Sequence, residues 1–291
     1  MDSKYVLEVK KLKKYYGPIR GVEDVSFSIE EGEIFGFIGP NGAGKSTTIR
    51  CIMNLISKTK GTVLIYGKEF LNDDLETKRI IGYLPSEIHL YNDLTVKECF
   101  DFHEQFYNRN LSKRRKELVK LLEIDESKKI EDLSLGNLKK VGIVLSLMHE
   151  PKILILDEPT SGLDPIMQDR FNKLLLREKE KGTTIIYSTH ILGEVSKLCD
   201  RVGIIKDGKL IKIEKVEDLL EKSLLSITIK SEDVDKIINK LSVKAKAIDN
   251  MVKFNTNINP NELIKKLSEF KIDKILIEET SIEDVFLHYY K

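Results

Sequence analysis

Gly39-Pro40-Asn41-Gly42-Ala43-Gly44-Lys45-Ser46-Thr47 matches the spacing G-x-x-x-x-G-K-[ST] at every fixed position. Each residue type meets one chemical need. Glycines let successive backbone N–H groups turn inward around an anion. A helix starting near Lys45 would aim the positive end of its dipole at that anion. The Lys45 ammonium would reach the β- and γ-phosphates of a nucleoside triphosphate, with ATP the one expected, and the Ser46 hydroxyl would ligate Mg2+. The plainer alternative is a glycine-rich turn before an ordinary helix. An apolar strand pattern before the loop and a helical pattern after it favour phosphate binding.

Lys152-Ile-Leu-Ile-Leu-Asp157-Glu158 is an apolar run ending in two acids. Asp157, at a strand terminus, can hold Mg2+ through water, and Glu158 can polarise an attacking water. Such runs are common by themselves. With a phosphate loop upstream, this one reads as the other half of a hydrolytic site.

These residues resemble the ATP-binding cassette (ABC) family, and the resemblance runs through most of residues 4–220. Pro159-Thr-Ser161-Gly-Leu-Asp164 is similar to the family's D-loop, which places Asp164 beside the nucleotide. Ser188-Thr-His190 is similar to its H-loop, which implies that His190 contacts the γ-phosphate. Tyr16, before Gly17-Pro18, resembles the aromatic that stacks on adenine; Tyr15 is a competing candidate, and plain packing is the alternative for either. Leu133-Ser134-Leu135-Gly136-Asn137 resembles the family signature LSGGQ and departs from it at the third and fifth positions. Ser134 and Gly136 remain, a hydroxyl and a bare backbone at a helix start that can approach a phosphate. A plain Ser-capped helix is the alternative. The resemblance implies that the signature completes the ATP site of a second copy, head to tail. A further departure follows Ile80-Ile-Gly-Tyr-Leu-Pro85, where the family usually carries a glutamine that senses Mg2+ and couples to the membrane partner. Here Ser86 and Glu87 stand instead. Ser86 acting through a water, Glu87 taking over, or weaker metal sensing are the open readings.

The resemblance implies an ATP-hydrolysing subunit that powers a transporter, in the exporting direction, through a separate membrane permease. The tail Ser281-Ile-Glu-Asp-Val-Phe-Leu-His288 resembles that of cassette subunits pairing with six-helix permeases. A homodimer, or a pair with a related subunit, would form on ATP binding. Two other outputs use the same site: a cassette protein acting on ribosomes or DNA, and a non-catalytic ATP-responsive module. The first usually has tandem cassettes or a long coiled-coil insertion, which this chain lacks, and Glu158 with His190 argues against the second.

The composition sets bounds on these readings. Among 291 residues, 48 basic side chains nearly cancel 47 acidic ones, so net charge supplies no nucleic-acid footprint. Cys51, Cys99 and Cys199 lack metal-ligand spacing and read as reduced core thiols. Residues 1–14 hold no signal-peptide core, and no apolar run reaches bilayer length. The expected location is therefore cytoplasmic, peripheral at the inner face of the cell membrane through the permease. Asn110-Leu-Ser112 matches a glycosylation acceptor that a cytoplasmic chain cannot use, and Lys113-Arg-Arg-Lys116 reads as a solvated helix face or a docking surface.

The elements that must position these residues follow from hydrophobic period. Strands are predicted at Val6–Val9, Val22–Ile29, Ile34–Ile38, Ile80–Leu84, Lys152–Leu156, Thr184–Tyr187 and Arg201–Ile205, and helices at Thr47–Ile56 and Glu98–Leu122. Their alternation predicts an α/β P-loop NTPase core with a mainly parallel sheet over residues 1–221, carrying a helical subdomain at about 87–150. Residues 222–291 read as a small α+β accessory domain. There, strands at Leu225–Ile229, Val243–Ile248, Met251–Phe254 and Ile275–Ile277 interleave with two helices, in the ferredoxin-like order βαββαβ. Asp249-Asn250 reads as a hairpin turn and Ser281 as the cap of a last helix.

Overall fold

A computed structural model describes residues 4–221, 225–243, 245–256 and 258–279. The tail Ser281–His288 and its expected cap lie outside the described residues. Contacts divide the chain into two units, Met1–Val216 and Glu217–Lys291.

The first unit runs β1 (Tyr5–Tyr16), β2 (Ile19–Glu30), β3 (Ile34–Ile38), α1 (Lys45–Ile52), β4 (Lys60–Ile65), β5 (Lys68–Glu69), α2 (Leu75–Arg79) and β6 (Ile81–Leu84). It continues with α3 (Val96–Glu104), α4 (Ser112–Leu122), α5 (Leu135–Leu147), β7 (Ile153–Asp157), α6 (Pro165–Glu180), β8 (Thr184–Thr189), α7 (Leu192–Leu198), β9 (Arg201–Lys206) and β10 (Lys209–Lys215). The main sheet has the order β10-β9-β3-β8-β7-β6. Neighbours from β9 to β6 pair in parallel, and only β10 is antiparallel. Every residue of β3 and β7 is buried, as strands covered on both faces require. A second, antiparallel sheet, β2-β1-β4-β5, packs its apolar face with Phe27, Phe35 and Phe37 in a shared core. Phe27 stacks on Phe35 with centroids 5.2 Å apart.

Two expectations for the helical region change. Glu98–Leu122 is not one helix. α3 ends at Glu104, although no proline or glycine intervenes. Asn110 competes for the backbone instead: its Oδ1 accepts from the Ser112 N–H at 2.9 Å. Tyr107 stacks on His149 at 4.6 Å, and Arg109 donates to the His149 carbonyl, so tertiary contacts hold the break. The basic run is only half solvated. Lys113 and Lys116 are exposed, but Arg114 and Arg115 are buried. Arg114 meets Glu178 at 2.5 Å, and Arg115 meets Asp101 at 2.5 Å and Glu126 at 2.6 Å. A basic run cannot show from sequence which of its members find buried carboxylates. The three cysteines are free and buried.

α8 (Val216–Glu221) straddles the division between the units. The second unit then contains β11 (Leu225–Lys230), α9 (Val234–Leu241), β12 (Met251–Thr256), α10 (Pro260–Leu267) and β13 (Lys274–Glu279). Its sheet order is β12-β11-β13, antiparallel throughout. Among the described residues the order is thus βαβαβ: of the strand expected at Val243–Ile248, residues 243 and 245–248 form none beyond a bridge at Ile248. The turn itself is present. Asp249 and Asn250 take φ of 49° and 57°, and Ile248 and Met251 exchange both backbone hydrogen bonds. Ala245, Lys246 and Ala247 before it are weak strand formers and do not extend the pairing.

Candidate functional site

The parallel order brings the carboxyl ends of β6, β7, β8 and β3 side by side, the edge where open α/β sheets bind ligands. Ser86 follows β6, Asp157 ends β7 with Glu158 next, His190 follows β8, and the glycine-rich loop follows β3. Four segments far apart in sequence therefore open onto one cleft of about 570 Å3. Tyr16, Arg20, Asn41 to Thr47, Ser86, Glu87, Glu158, Ser161 and His190 line it. Tyr16 is 45% exposed at its rim, while Tyr15 does not line it.

The loop has the backbone that an anion cradle needs. Gly44 sits at φ 106° as the N-cap of α1, and a Cβ there would lie 2.9 Å from the Gly21 carbonyl. No side chain caps α1, so its first N–H groups stay free for a ligand. The Lys45 ammonium curls over the loop and donates to the carbonyls of Gly39 (2.7 Å) and Pro40 (3.4 Å). It also stands 3.5 Å from Glu158 Oε1. The other carboxylate oxygen, Oε2, lies 2.8 Å from His190 Nδ1. Glu158 holds this place from a left-handed backbone, φ 49°, with its N–H bonded to the Ser188 carbonyl at 3.0 Å.

Asp157 is fully buried, and neither of its carboxylate oxygens has a hydrogen-bond partner. A buried carboxylate without hydrogen-bond partners is costly, and the nearby charge of Lys139 offsets only part of that cost without a direct bond. Asp157 does not itself line the cleft; its unpartnered oxygens lie behind Glu158, and with the Ser46 hydroxyl on the cleft wall they fit Mg2+ held through water. Among the described residues no three His, Cys, Asp or Glu side chains cluster as a protein-only metal cage. Mg2+ suits such a site, because it keeps waters and phosphate oxygens as ligands.

Other expected residues sit elsewhere in the same chain. Ser134 is exposed and caps α5, accepting from the Asn137 N–H at 3.3 Å. A Cβ on Gly136 would come within 2.6 Å of the Gly162 carbonyl, so the start of α5 abuts the turn before Asp164. Asp164 caps α6 through the Met167 N–H at 2.9 Å. None of the three lines the cleft of its own chain.

Lys139 escaped the sequence reading. It lies on α5, is 1% exposed, and donates to the carbonyls of Ser86 (2.9 Å) and Glu158 (3.3 Å). Burial pulls its pKa down, and the nearby charges of Asp157 and Glu158 push the other way. A signal existed: Lys139 shares the buried face of α5 with Gly142, Ile143 and Ser146, three to seven residues on.

A phosphate loop, two strand-end acids and a histidine on one parallel sheet define the class as a P-loop nucleotide-binding ATPase. The sequence profile of the family described as "ABC transporter" matches residues 22–161. The linearmycin resistance ATP-binding protein LnrL of Bacillus subtilis strain 168 is 38% identical over 219 residues, covering 74% of this chain and 70% of LnrL. The bacitracin transport ATP-binding protein BcrA of Bacillus licheniformis is 31% identical over 294 residues, covering 97% and 96%. The dimeric cassette MJ0796, also solved in a post-hydrolysis state with ADP and Pi, has a TM-score of 0.66 with 28–29% identity, covering 72% of this chain and 98% of its own. The chain belongs to the ABC transporter family, as an ATP-binding subunit that hydrolyses ATP. No helix among the described residues is long and apolar enough to cross a membrane.

Proposed function

We propose that this chain powers an exporter from the cytoplasmic face of the cell membrane, docked on a permease carried by a separate chain. The names of LnrL and BcrA, a resistance protein and a bacitracin transport protein, support the direction and suggest an antibiotic-like cargo. The N–H groups of the loop and the Lys45 ammonium bind the phosphates. Tyr16 offers one ring face to the base, with the Lys14 ammonium 4.8 Å from the ring centroid. Ser46 and Asp157 would hold Mg2+, which supplies charge neutralisation on the phosphate oxygens when bound.

Glu158 takes the proton of the attacking water. The His190 ring and the Lys45 ammonium each hold one of its two oxygens, and this three-way contact is the observation that carries the reading. Ser134 and Gly136 come from a second copy, with Asp164 at the seam, so that dimerisation gates turnover. Glu158→Gln keeps the shape and removes the base. It should bind ATP as wild type does, cut steady-state hydrolysis by about 100-fold or more, and accumulate as an ATP-bound dimer in size-exclusion chromatography. Wild-type turnover in that variant removes Glu158 from the role.

A further inference from the structure

We propose that Lys139 is a positioning residue that ties the Glu158 carboxylate to the Ser86 loop and to the helix that begins at Ser134. Lys139 sits little more than one turn into α5, behind the Ser134 cap. Its ammonium bridges two main-chain carbonyls, Ser86 at 2.9 Å and Glu158 at 3.3 Å. Three segments distant in sequence therefore converge on one buried cation.

The Glu158 end of this bridge is the informative one. A glutamate at φ 49° is held against its own backbone preference, so its surroundings must fix it. Ser188 grips the N–H of Glu158, and Lys139 grips the carbonyl. Together they set the peptide planes on both sides of the residue, and so the direction in which the carboxylate leaves the backbone toward His190 and Lys45. The Ser86 end matters because Ser86 and Glu87 form part of the cleft wall. A displacement of that wall pulls on the same ammonium, and through it on the Glu158 carbonyl. A methionine would fill the same space without the cost of burying a charge. What lysine adds is a pair of directed, charge-assisted hydrogen bonds, and a positive charge near Asp157 and Glu158.

This inference rests on the reading of Glu158 as the base, and one set of variants separates the two. Lys139→Met, Lys139→Gln and Glu158→Gln are compared in the full chain by steady-state hydrolysis at saturating Mg-ATP and by titration with a fluorescent ATP analogue. Lys139→Met should lower kcat about tenfold or more, as a misaimed reacting group does, with nucleotide Kd unchanged. Lys139→Gln, whose amide can donate to both carbonyls, should recover most of that loss. Wild-type kcat in Lys139→Met, an equal loss in Met and Gln variants, or a loss of nucleotide affinity in step with kcat each overturns the proposal. If Lys139→Met does not fold, Lys139→Arg decides: its larger fork keeps the donors but displaces the carbonyls, so kcat falls at unchanged Kd, and wild-type kcat overturns the proposal. Undiminished turnover in Glu158→Gln strikes the Glu158 reading instead.

Discussion

Lys45 faces both ways in the cleft. It folds onto the Gly39 and Pro40 carbonyls and stands 3.5 Å from Glu158, so a phosphate entering the loop meets an ammonium already aimed inward. Charge-assisted hydrogen bonds are each worth about 1.5–3 kcal/mol. Lys45→Ala should therefore weaken nucleotide binding by roughly 10- to 100-fold, read by titration with a fluorescent ATP analogue. Normal affinity in that variant would show that the loop amides alone carry binding. Asp157 works at the same scale by a different logic: its buried oxygens lack partners, which makes the residue costly unless a cation serves them.

At the scale of elements, the break between α3 and α4 and the end of α5 meet around His149. Its Nε2 contacts the Ile81 carbonyl at 3.1 Å, and Tyr107, His103 and Arg109 surround it. Burial, with lesser help from the charges of His103 and Arg109, pulls its pKa from 6.5 down to about 4. The folded chain thus resists protonating His149 while the unfolded chain accepts the proton near its ordinary value. As pH falls from about 6.5 toward 4, the unfolded state binds more protons and stability drops, by up to about 3 kcal/mol from this group. His149→Gln keeps a donor for Ile81 and does not titrate. Its urea-unfolding stability should fall less steeply over that window than wild type, and parallel slopes would discard the account.

At the scale of the whole molecule, the proposed site draws on two copies of the chain. Ser134 lies at an exposed helix start and does not line its own chain's cleft. In the Glu158→Gln background, ATP should drive dimer formation seen by sedimentation velocity. Adding Ser134→Arg should abolish that dimer while each monomer binds nucleotide with affinity within about twofold of the parent, because the loop of the same chain is untouched. A persisting dimer would place the second half of the site elsewhere.

Much of this was legible in the sequence because chemistry there is local. The spacing from Gly39 to Thr47 needs only a strand before it and a helix after it, and both are present. The acids after Leu156 and the histidine after Thr189 are likewise strand-end residues, readable from period and position. Local propensity also fixed the Asp249-Asn250 turn. It did not fix whether a strand would propagate from that turn, nor that the lengthy helix pattern after Glu98 would break at a segment held by His149. It could not sort Arg114 and Arg115 from their exposed neighbours, or place Lys139 between Ser86 and Glu158. Those outcomes depend on partners tens of residues away. The sequence by itself determined that this protein binds a phosphate chain beside two acids. Only the tertiary structure decided how the Glu158 carboxylate is aimed, because its strained backbone is held by a carbonyl-to-ammonium bond that no local pattern encodes.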